Sequence, residues 1–217
     1  MYRALLFDLD GTLAETDSLH LPTWVDALEP YGVEVDEEFY RERISGRSTA
    51  EIVRELLPGL TDEQGRSIGD AKEASFRKRA SELEPLPGLE DFVMQGRERE
   101  MRIALVTNAP EENVEAILRA LKLRGFFDTV VLADEVEAVK PDPAPYIAAL
   151  EKTGVPAEEA LAFEDSISGI SSSVAAGIPT VGIASSQDPE RLLEAGAFTT
   201  ARDFTDEQLW TMIDARV

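Results

Sequence analysis

The chain has 217 residues, of which 43% are hydrophobic, so it can form one large domain or a domain with a smaller insertion. It has no cysteine, which excludes a disulfide, a zinc-thiolate site and a thiol nucleophile. Its formal net charge of −22 at pH 7 argues against nucleic acid or an anionic membrane as a partner, because both require a basic surface. No apolar run approaches a membrane span, and Asp8 and Asp10 interrupt the stretch that a signal peptide would need, so we expect a cytoplasmic protein.

The basic residues are mostly arginines, since only five of the 21 are lysines (residues 72, 78, 122, 140 and 152). The acidic residues are spread along the chain rather than gathered in one tail. An acidic, lysine-poor surface is one way for a protein to stay in solution in concentrated salt. We therefore hypothesise a halophilic source organism.

The first predicted element is a strand that runs into two carboxylates. Residues 2–7 are mainly apolar and lead directly to Asp8 and Asp10. Side chains two residues apart in an extended chain point to the same side. Gly11 then allows a sharp turn, and Thr12 adds a hydroxyl. Two like charges at the end of a buried strand call for a divalent cation or a shared proton to neutralise them.

The segment after this strand has helical patterns and no period of two. Ser48 and Thr61 each precede Glu or Gln by three residues, which is the capping-box spacing of a helix start. The Pro- and Gly-containing segment 85–88 ends the helical stretch. We therefore predict an all-helical cap domain of residues 15–84, inserted into a core made of residues 1–14 and 85–217.

From residue 101 onward, apolar runs alternate with helical patterns. The helix after the second strand carries Val114, Ile117, Leu118 and Leu121 on one face. This alternation predicts an α/β fold with a Rossmann-like, doubly wound parallel sheet as its core. Besides the first strand, the expected strands are residues 101–106, 129–133, 160–163, 179–184 and a weak run at 197–200.

Polar side chains follow the predicted strands at the edge where a parallel sheet binds its ligands. Their chemistry fits phosphoryl transfer: an ionised Asp can form an aspartyl phosphate, a second carboxyl can exchange protons, and Mg²⁺ prefers hard oxygen ligands. Amide, hydroxyl and ammonium groups can hold the remaining phosphate oxygens. Apart from the first two carboxylates, these groups are Thr107, Asn108, Lys140, Glu164 and Asp165.

These segments, in this order, resemble the four motifs of the haloacid dehalogenase-like (HAD) hydrolase superfamily. The helical insertion is similar to the small C1-type cap of its β-phosphoglucomutase and sugar-phosphatase branch. The sequences of residues 72–78, 106–110 and 163–166 resemble those of the small sugar phosphatases of plants. The dehalogenase branch lacks the second aspartate, present here as Asp10, so the resemblance does not imply dehalogenation.

The resemblance implies a role for each matched position. Asp8 would be the nucleophile and Asp10 the general acid and base. Mg²⁺ would be bound by the Asp8 and Asp165 carboxylates and the Asp10 carbonyl oxygen, with Glu164 in or beside that shell. The transferring phosphoryl group would be bound by Thr107, Asn108 and Lys140.

Each motif alone has a simpler interpretation as a turn, a helix cap or a surface loop, and only the ordered set favours a catalytic site. Within the cap, His20 contacts either the substrate or the hinge near Asp10, or it is an ordinary helix-surface residue. Arg47 and Lys72 either present cations to a sugar phosphate or are exposed to solvent. Trp24 is expected in the core of the cap rather than stacked on a sugar.

The sequence therefore predicts a Mg²⁺-dependent phosphatase acting on a small phosphorylated metabolite, with a sugar phosphate as the expected substrate, as a monomer or small homo-oligomer. One alternative is a phosphomutase of the β-phosphoglucomutase type, which would use the same residues and pass the phosphoryl group to a second hydroxyl. A more remote alternative is a non-catalytic phosphate-binding protein on the same fold.

Overall fold

The computed structural model describes residues 1–214 and confirms the predicted Rossmann-like α/β core. Six parallel strands form one sheet in the order β3-β2-β1-β4-β5-β6. The strand order reverses beside β1, which pairs with β2 on one side and β4 on the other. In such sheets the carboxyl ends of the strands at the reversal form a crevice. The strands are β1 Ala4–Phe7, β2 Arg102–Thr107, β3 Thr129–Leu132, β4 Ala160–Glu164, β5 Thr180–Ile183 and β6 Thr199–Ala201.

The structure contains every helix that the sequence patterns indicated. It also contains helices that they did not indicate, among them those at Glu37–Arg43, Leu89–Glu98, Pro189–Glu194 and Glu207–Asp214. Between β1 and α5 (Leu89–Glu98) the chain forms helices joined by turns and loops, with one isolated β-bridge between Asp10 and Ala14. The α-helices are α1 Asp17–Leu28, α2 Glu37–Arg43, α3 Thr49–Leu56, α4 Asp62–Arg79, α5 Leu89–Glu98, α6 Glu111–Ala120, α7 Ala144–Thr153, α8 Ile167–Ala175, α9 Pro189–Glu194 and α10 Glu207–Asp214.

The central strand is buried on both faces. Leu5 and Phe7 belong to the larger hydrophobic cluster, whereas Ala4 and Leu6 belong to the cluster on the opposite side of the sheet. The Phe7 ring stacks on that of Phe163 in β4, with centroids 4.8 Å apart. This continuous burial is expected for a parallel strand covered by helices on both faces, and it leaves the strand ends as the place for polar groups.

The spacing of Ile167, Ile170 and Val174 in the sequence predicts one buried face for helix α8, but the helix packs with a different face. Ile170 is buried, but Ile167 and Val174 are 41% and 39% exposed. The helix instead buries Ser172 and Ser173, whose hydroxyls bond within the fold. Small side chains thus allow α8 to lie close to β4 and β5.

Helices α1 to α4 enclose a hydrophobic cluster of their own. Trp24, Leu28 and Tyr40 pack there against Ile52 and Val53, so the prediction that Trp24 is a core residue is confirmed. Both predicted capping boxes are present, at the starts of α3 and α4. The two connections to the sheet lie side by side, since the Leu86 amide donates to the Leu13 carbonyl at 2.8 Å.

A buried polar cluster joins the insertion to helix α6. The Glu73 carboxylate of α4 accepts hydrogen bonds from the Asn113 amide of α6 at 2.6 Å and from the Thr49 hydroxyl of α3 at 2.5 Å. Arg77 donates to the other side of the Asn113 amide at 3.0 Å. Because a buried carboxylate needs such donors, this cluster fixes how α4 lies against α6.

No helix within residues 1–214 is both long enough and apolar enough to cross a membrane.

Candidate active site

The carboxyl ends of β1, β2 and β4 surround a buried ion pair. Lys140, in the loop before α7, donates to Asp8 Oδ1 at 2.5 Å and to Glu164 Oε1 at 2.6 Å. Its ammonium also donates to the Val106 carbonyl at 2.8 Å. Three acceptors match the three protons of a lysine ammonium. Lys140 is therefore fully hydrogen-bonded inside the protein and holds the Asp8 carboxylate in place.

The local backbone explains how the neighbouring carboxylates come together. The Asp8 amide donates to the Phe163 carbonyl at 3.0 Å, which continues the pairing of β1 with β4 past the end of the strand. Gly11 has a φ of +71°, and a Cβ there would lie 2.0 Å from Asp165 Oδ2. Glycine is thus required both for the turn and for the close approach of Asp165.

Three carboxylates at this edge fit a divalent cation. Asp8, Glu164 and Asp165 each offer an oxygen, and the three oxygens lie within 4.8 Å of one another. Hard oxygen donors of this kind suit Mg²⁺ or a similar ion. The space that a glycine leaves beside Asp165 keeps this approach open. The residues therefore fit the metal site that the resemblance implied, and Asp10 adjoins it.

The electrostatics of the cluster also favour a cation. The pKa of Asp8 is raised to about 8, mainly by burial; the charge of Lys140 opposes this shift, and that of Glu164 adds to it. Burial raises the pKa of Asp165 well above its usual value, and Asp8 and Glu164 add to this effect. One ammonium does not balance the three carboxylates, so a divalent cation would stabilise their ionised forms.

Glu164 is held in place by hydrogen bonds inside the protein. It is fully buried, and its Oε1 atom accepts from both Lys140 and the Tyr146 hydroxyl, each at 2.6 Å. A Cβ at position 169 would lie 1.9 Å from Oε2, so Gly169 at the start of α8 leaves room for the carboxylate. Sequence reasoning had not identified Tyr146, because no local motif links it to Glu164.

Asn108 joins the loop after β2 to the loop that carries Lys140. Its side-chain nitrogen donates to the Lys140 carbonyl at 3.3 Å, and its side-chain oxygen accepts from the Lys140 amide at 3.2 Å. Neighbouring Thr107 is buried, and its hydroxyl oxygen accepts from the Ala109 amide at 3.0 Å. The hydroxyl proton of Thr107 remains for a ligand, while Asn108 fixes the position of Lys140.

Asp10 is linked to the helical insertion through His20. His20 Nε2 lies 3.4 Å from Asp10 Oδ1, and its Nδ1 lies 2.9 Å from Lys72 Nζ. Because an ammonium can only donate, Nδ1 accepts, and the imidazole proton lies on Nε2, facing Asp10. The structure thus places His20 beside Asp10, with its ring stacked on that of Phe76 at a centroid distance of 4.0 Å.

The environment of Asp10 shifts its pKa in the direction opposite to that of Asp8. Burial would raise the pKa of Asp10, but the hydrogen bond from His20 and the nearby charge of the Lys72 ammonium lower it below its usual value. The two aspartates of one motif therefore occupy electrostatically different places.

A cavity of about 800 Å³ opens between the insertion and this edge of the sheet. Asp8, Asp10 and Thr107 line it from the sheet. Arg47 lines it from the insertion and is held by Glu55, with Nη2 and Oε2 2.6 Å apart. Lys72 is buried rather than free, and its ammonium donates to Glu73 at 3.1 Å. The cavity is thus lined by carboxylates and a lysine at the sheet edge, and by both basic and acidic side chains of the insertion.

Comparison with known proteins identifies what this arrangement resembles. The family model described as haloacid dehalogenase-like hydrolase matches residues 5–183. A phosphorylated carbohydrates phosphatase of Thermotoga maritima is 34% identical over 205 residues, covering 89% of this chain and 91% of that protein. The fructose-1-phosphate phosphatase YqaB of Escherichia coli is 31% identical over 184 residues, covering 84% and 96% respectively.

One solved structure is also similar to this chain. The crystal structure of CbbY from Rhodobacter sphaeroides in complex with phosphate is similar with a TM-score of 0.82 and 30% identity. The similarity covers 95% of this chain and 96% of that one. Both the sheet and the helical insertion therefore lie within the compared region.

The raised pKa of Asp8 predicts that metal binding depends on pH. Since a cation and a proton compete for this carboxylate, the affinity for Mg²⁺ should increase from about pH 6 to about pH 8, by up to about tenfold per pH unit for each proton displaced. Isothermal titration calorimetry in two buffers of different ionisation enthalpy measures both the affinity and the protons released.

The matched control is Asp134→Asn, an aspartate that follows β3 at the same edge of the sheet but does not line the cavity. It should keep the pH dependence, whereas Asp8→Asn should weaken it. An affinity of the unaltered protein for Mg²⁺ that stays constant over this range would contradict the assignment of Asp8 to the cation site.

Proposed function

The chain belongs to the haloacid dehalogenase-like hydrolase family, and on that basis we propose that it is a Mg²⁺-dependent phosphatase of small phosphorylated metabolites, in particular sugar phosphates. The observation that carries the proposal is the Asp8 carboxylate, held by the Lys140 ammonium at 2.5 Å and facing the cavity beside Asp10. The names of the two curated relatives, phosphatases of phosphorylated carbohydrates and of fructose 1-phosphate, support the substrate class.

In the first proposed step Asp8 acts as the nucleophile. A carboxylate oxygen of Asp8 forms a bond to phosphorus while the bond from phosphorus to the alcohol oxygen breaks. Asp10 gives its proton to that oxygen, so the alcohol leaves neutral. The Thr107 hydroxyl donates to a phosphoryl oxygen, and Asn108 keeps Lys140 beside Asp8.

In the second step Asp10, now ionised, takes a proton from water. The water oxygen bonds to phosphorus and the bond from phosphorus to Asp8 breaks, which releases inorganic phosphate and restores both carboxyl groups. Asp8, Asp165 and the Asp10 carbonyl oxygen, with Glu164 beside them, would hold Mg²⁺, which when bound neutralises charge on the phosphoryl oxygens.

The helical insertion of residues 15–84 is proposed to act as a cap over a core of residues 1–14 and 85–217. Its own hydrophobic cluster and its two adjacent connections support such movement, although opening would have to break the hydrogen bonds that Glu73 and Arg77 make to Asn113. The contact of His20 with Asp10 would belong to the closed arrangement, which would also exclude bulk water. Arg47 would then contact the part of the substrate far from the transferring phosphoryl group, because it lines the opposite wall of the cavity.

The phosphomutase alternative depends on one observation. His20 bridges Asp10 and Lys72, an arrangement that could keep Asp10 from activating water until a second sugar hydroxyl arrives. The two activities share every residue of the first step, so only their products distinguish them.

The proposed function predicts phosphate release from sugar phosphates. With Mg²⁺ and a panel that includes the glucose 1-phosphate isomers, free phosphate should accumulate with the free sugar. Asp8→Asn should lower this rate by a factor of about 10⁴ or more, because the nucleophile is lost, and Asp134→Asn should leave it unchanged. Colorimetric phosphate detection and chromatography of the sugars measure both products.

Conversion of glucose 1-phosphate to glucose 6-phosphate without release of free phosphate would contradict the phosphatase proposal and support the phosphomutase alternative. Unchanged phosphate release by a folded Asp8→Asn variant would refute the assignment of Asp8 as the nucleophile. Phosphate binding without turnover of any compound would instead support a non-catalytic binding protein.

The net charge of −22 supports a further proposal, that the protein is adapted to high salt. Mutual repulsion among the acidic side chains destabilises the folded state at low ionic strength, and salt screens it. The melting temperature should therefore rise as KCl increases from about 0.1 M to about 3 M, a range over which the Debye length falls from about 10 Å to below about 3 Å. Full activity at low salt that is lost in molar KCl would contradict this proposal.

A further inference from the structure

Tyr146 is a fully buried residue of the first turn of α7 whose hydroxyl reaches the candidate active site. It donates to Glu164 Oε1 at 2.6 Å. Burial and the charge of Glu164 raise the pKa of Tyr146 well above its usual value, so the hydroxyl keeps its proton and remains a donor. The reaction proposed above gives this group no step.

The acceptor of this bond is shared with Lys140. Glu164 Oε1 accepts from the Tyr146 hydroxyl and from the Lys140 ammonium, both at 2.6 Å. The same ammonium donates to Asp8 Oδ1 at 2.5 Å. A short chain of hydrogen bonds thus runs from Tyr146 through Glu164 and Lys140 to Asp8. A change at one end alters how the ammonium divides its interaction between the two carboxylates.

Glu164 cannot readily relieve such a change by moving. It is fully buried, and its carboxylate occupies the space beside Gly169, with Oε2 1.9 Å from where a Cβ would lie. The Tyr146 ring also supports the ammonium, with Lys140 Nζ 5.3 Å from the ring centroid. Tyr146 therefore contacts both Glu164 and Lys140, one through its hydroxyl and the other through its ring.

We infer that Tyr146 is a positioning residue, whose hydroxyl satisfies Glu164 so that Lys140 remains aligned on the Asp8 carboxylate. Without that hydroxyl, Glu164 Oε1 would keep one of its two donors and would draw the ammonium away from Asp8. The inference rests on the proposed function, because it assigns to Asp8 the role of nucleophile. Tyr146 itself touches neither the substrate nor the phosphoryl group.

The test is Tyr146→Phe, which keeps the ring and removes one oxygen. With Mg²⁺ and 4-nitrophenyl phosphate, kcat should fall about tenfold while KM changes less than about twofold, since a hydrogen bond to a charged group is lost and no substrate contact changes. The control is Ser173→Ala, which removes another buried hydroxyl, bonded to Thr180 at the far end of the sheet. It should lower the melting temperature and leave kcat unchanged.

A double-mutant cycle with Glu164→Gln tests whether Tyr146 acts through Glu164. If it does, Tyr146→Phe should reduce kcat much less in the Glu164→Gln background than in the unaltered protein. Equal reductions in the two backgrounds would overturn the inference. So would a folded Tyr146→Phe variant with unchanged kcat.

An independent readout separates this inference from the proposed function. Lys72 and Lys140 are the buried lysines of the five, and a hydrogen-bonded ammonium exchanges its protons slowly. In ¹⁵N-lysine NMR spectra, identified through Lys140→Arg, the Lys140 signal should shift or broaden in Tyr146→Phe and stay in place in Ser173→Ala. Absence of phosphatase activity would refute the function alone, whereas an unshifted Lys140 signal would refute the role of Tyr146.

Discussion

The buried contact between Lys140 and Asp8 is the interaction on which the rest of the site depends. A carboxylate that lies at a strand end beside Glu164 and Asp165 is costly to ionise, and a fully hydrogen-bonded ammonium offsets part of that cost. The parallel sheet brings these groups together because β1 and β4 are adjacent at the reversal of strand order. Glycines at positions 11 and 169 leave the space that the carboxylates occupy.

The same geometry gives different properties to two aspartates that are two residues apart. The protein's own groups raise the pKa of Asp8 and lower that of Asp10, which is the reverse of what their proposed roles as nucleophile and acid require. A cation held at Asp8 would favour its ionised form, and a phosphate dianion arriving near Asp10 would favour its protonated form. His20 approaches Asp10 from the insertion, so movement of the insertion would also change this balance.

The sequence indicated the core fold and the set of polar groups at the strand ends, because both follow from local patterns. A motif that ends a buried strand must lie at one edge of a parallel sheet, which is how Asp8, Thr107 and Glu164 could be placed in advance. Tyr146 could not, since its partner Glu164 lies 18 positions away and no periodicity links α7 to β4. The Glu73–Asn113 bond spans 40 positions for the same reason. In α8 the apolar spacing indicated the wrong face, because buried serines as well as Ile170 form the face that packs against the rest of the protein.

Trapping the phosphorylated enzyme tests the central claim, that Asp8 forms a covalent bond to phosphorus, most directly. The Asp10→Asn variant should still react with 4-nitrophenyl phosphate, whose leaving group needs little protonation, but should hydrolyse the intermediate slowly. Intact-mass spectrometry after mixing with Mg²⁺ and this substrate should show one added phosphoryl group, which peptide mapping places on Asp8, and no addition in the Asp8→Asn, Asp10→Asn double variant. Release of nitrophenol with the phosphoryl group on another residue, or with none on the protein during turnover, would contradict the account.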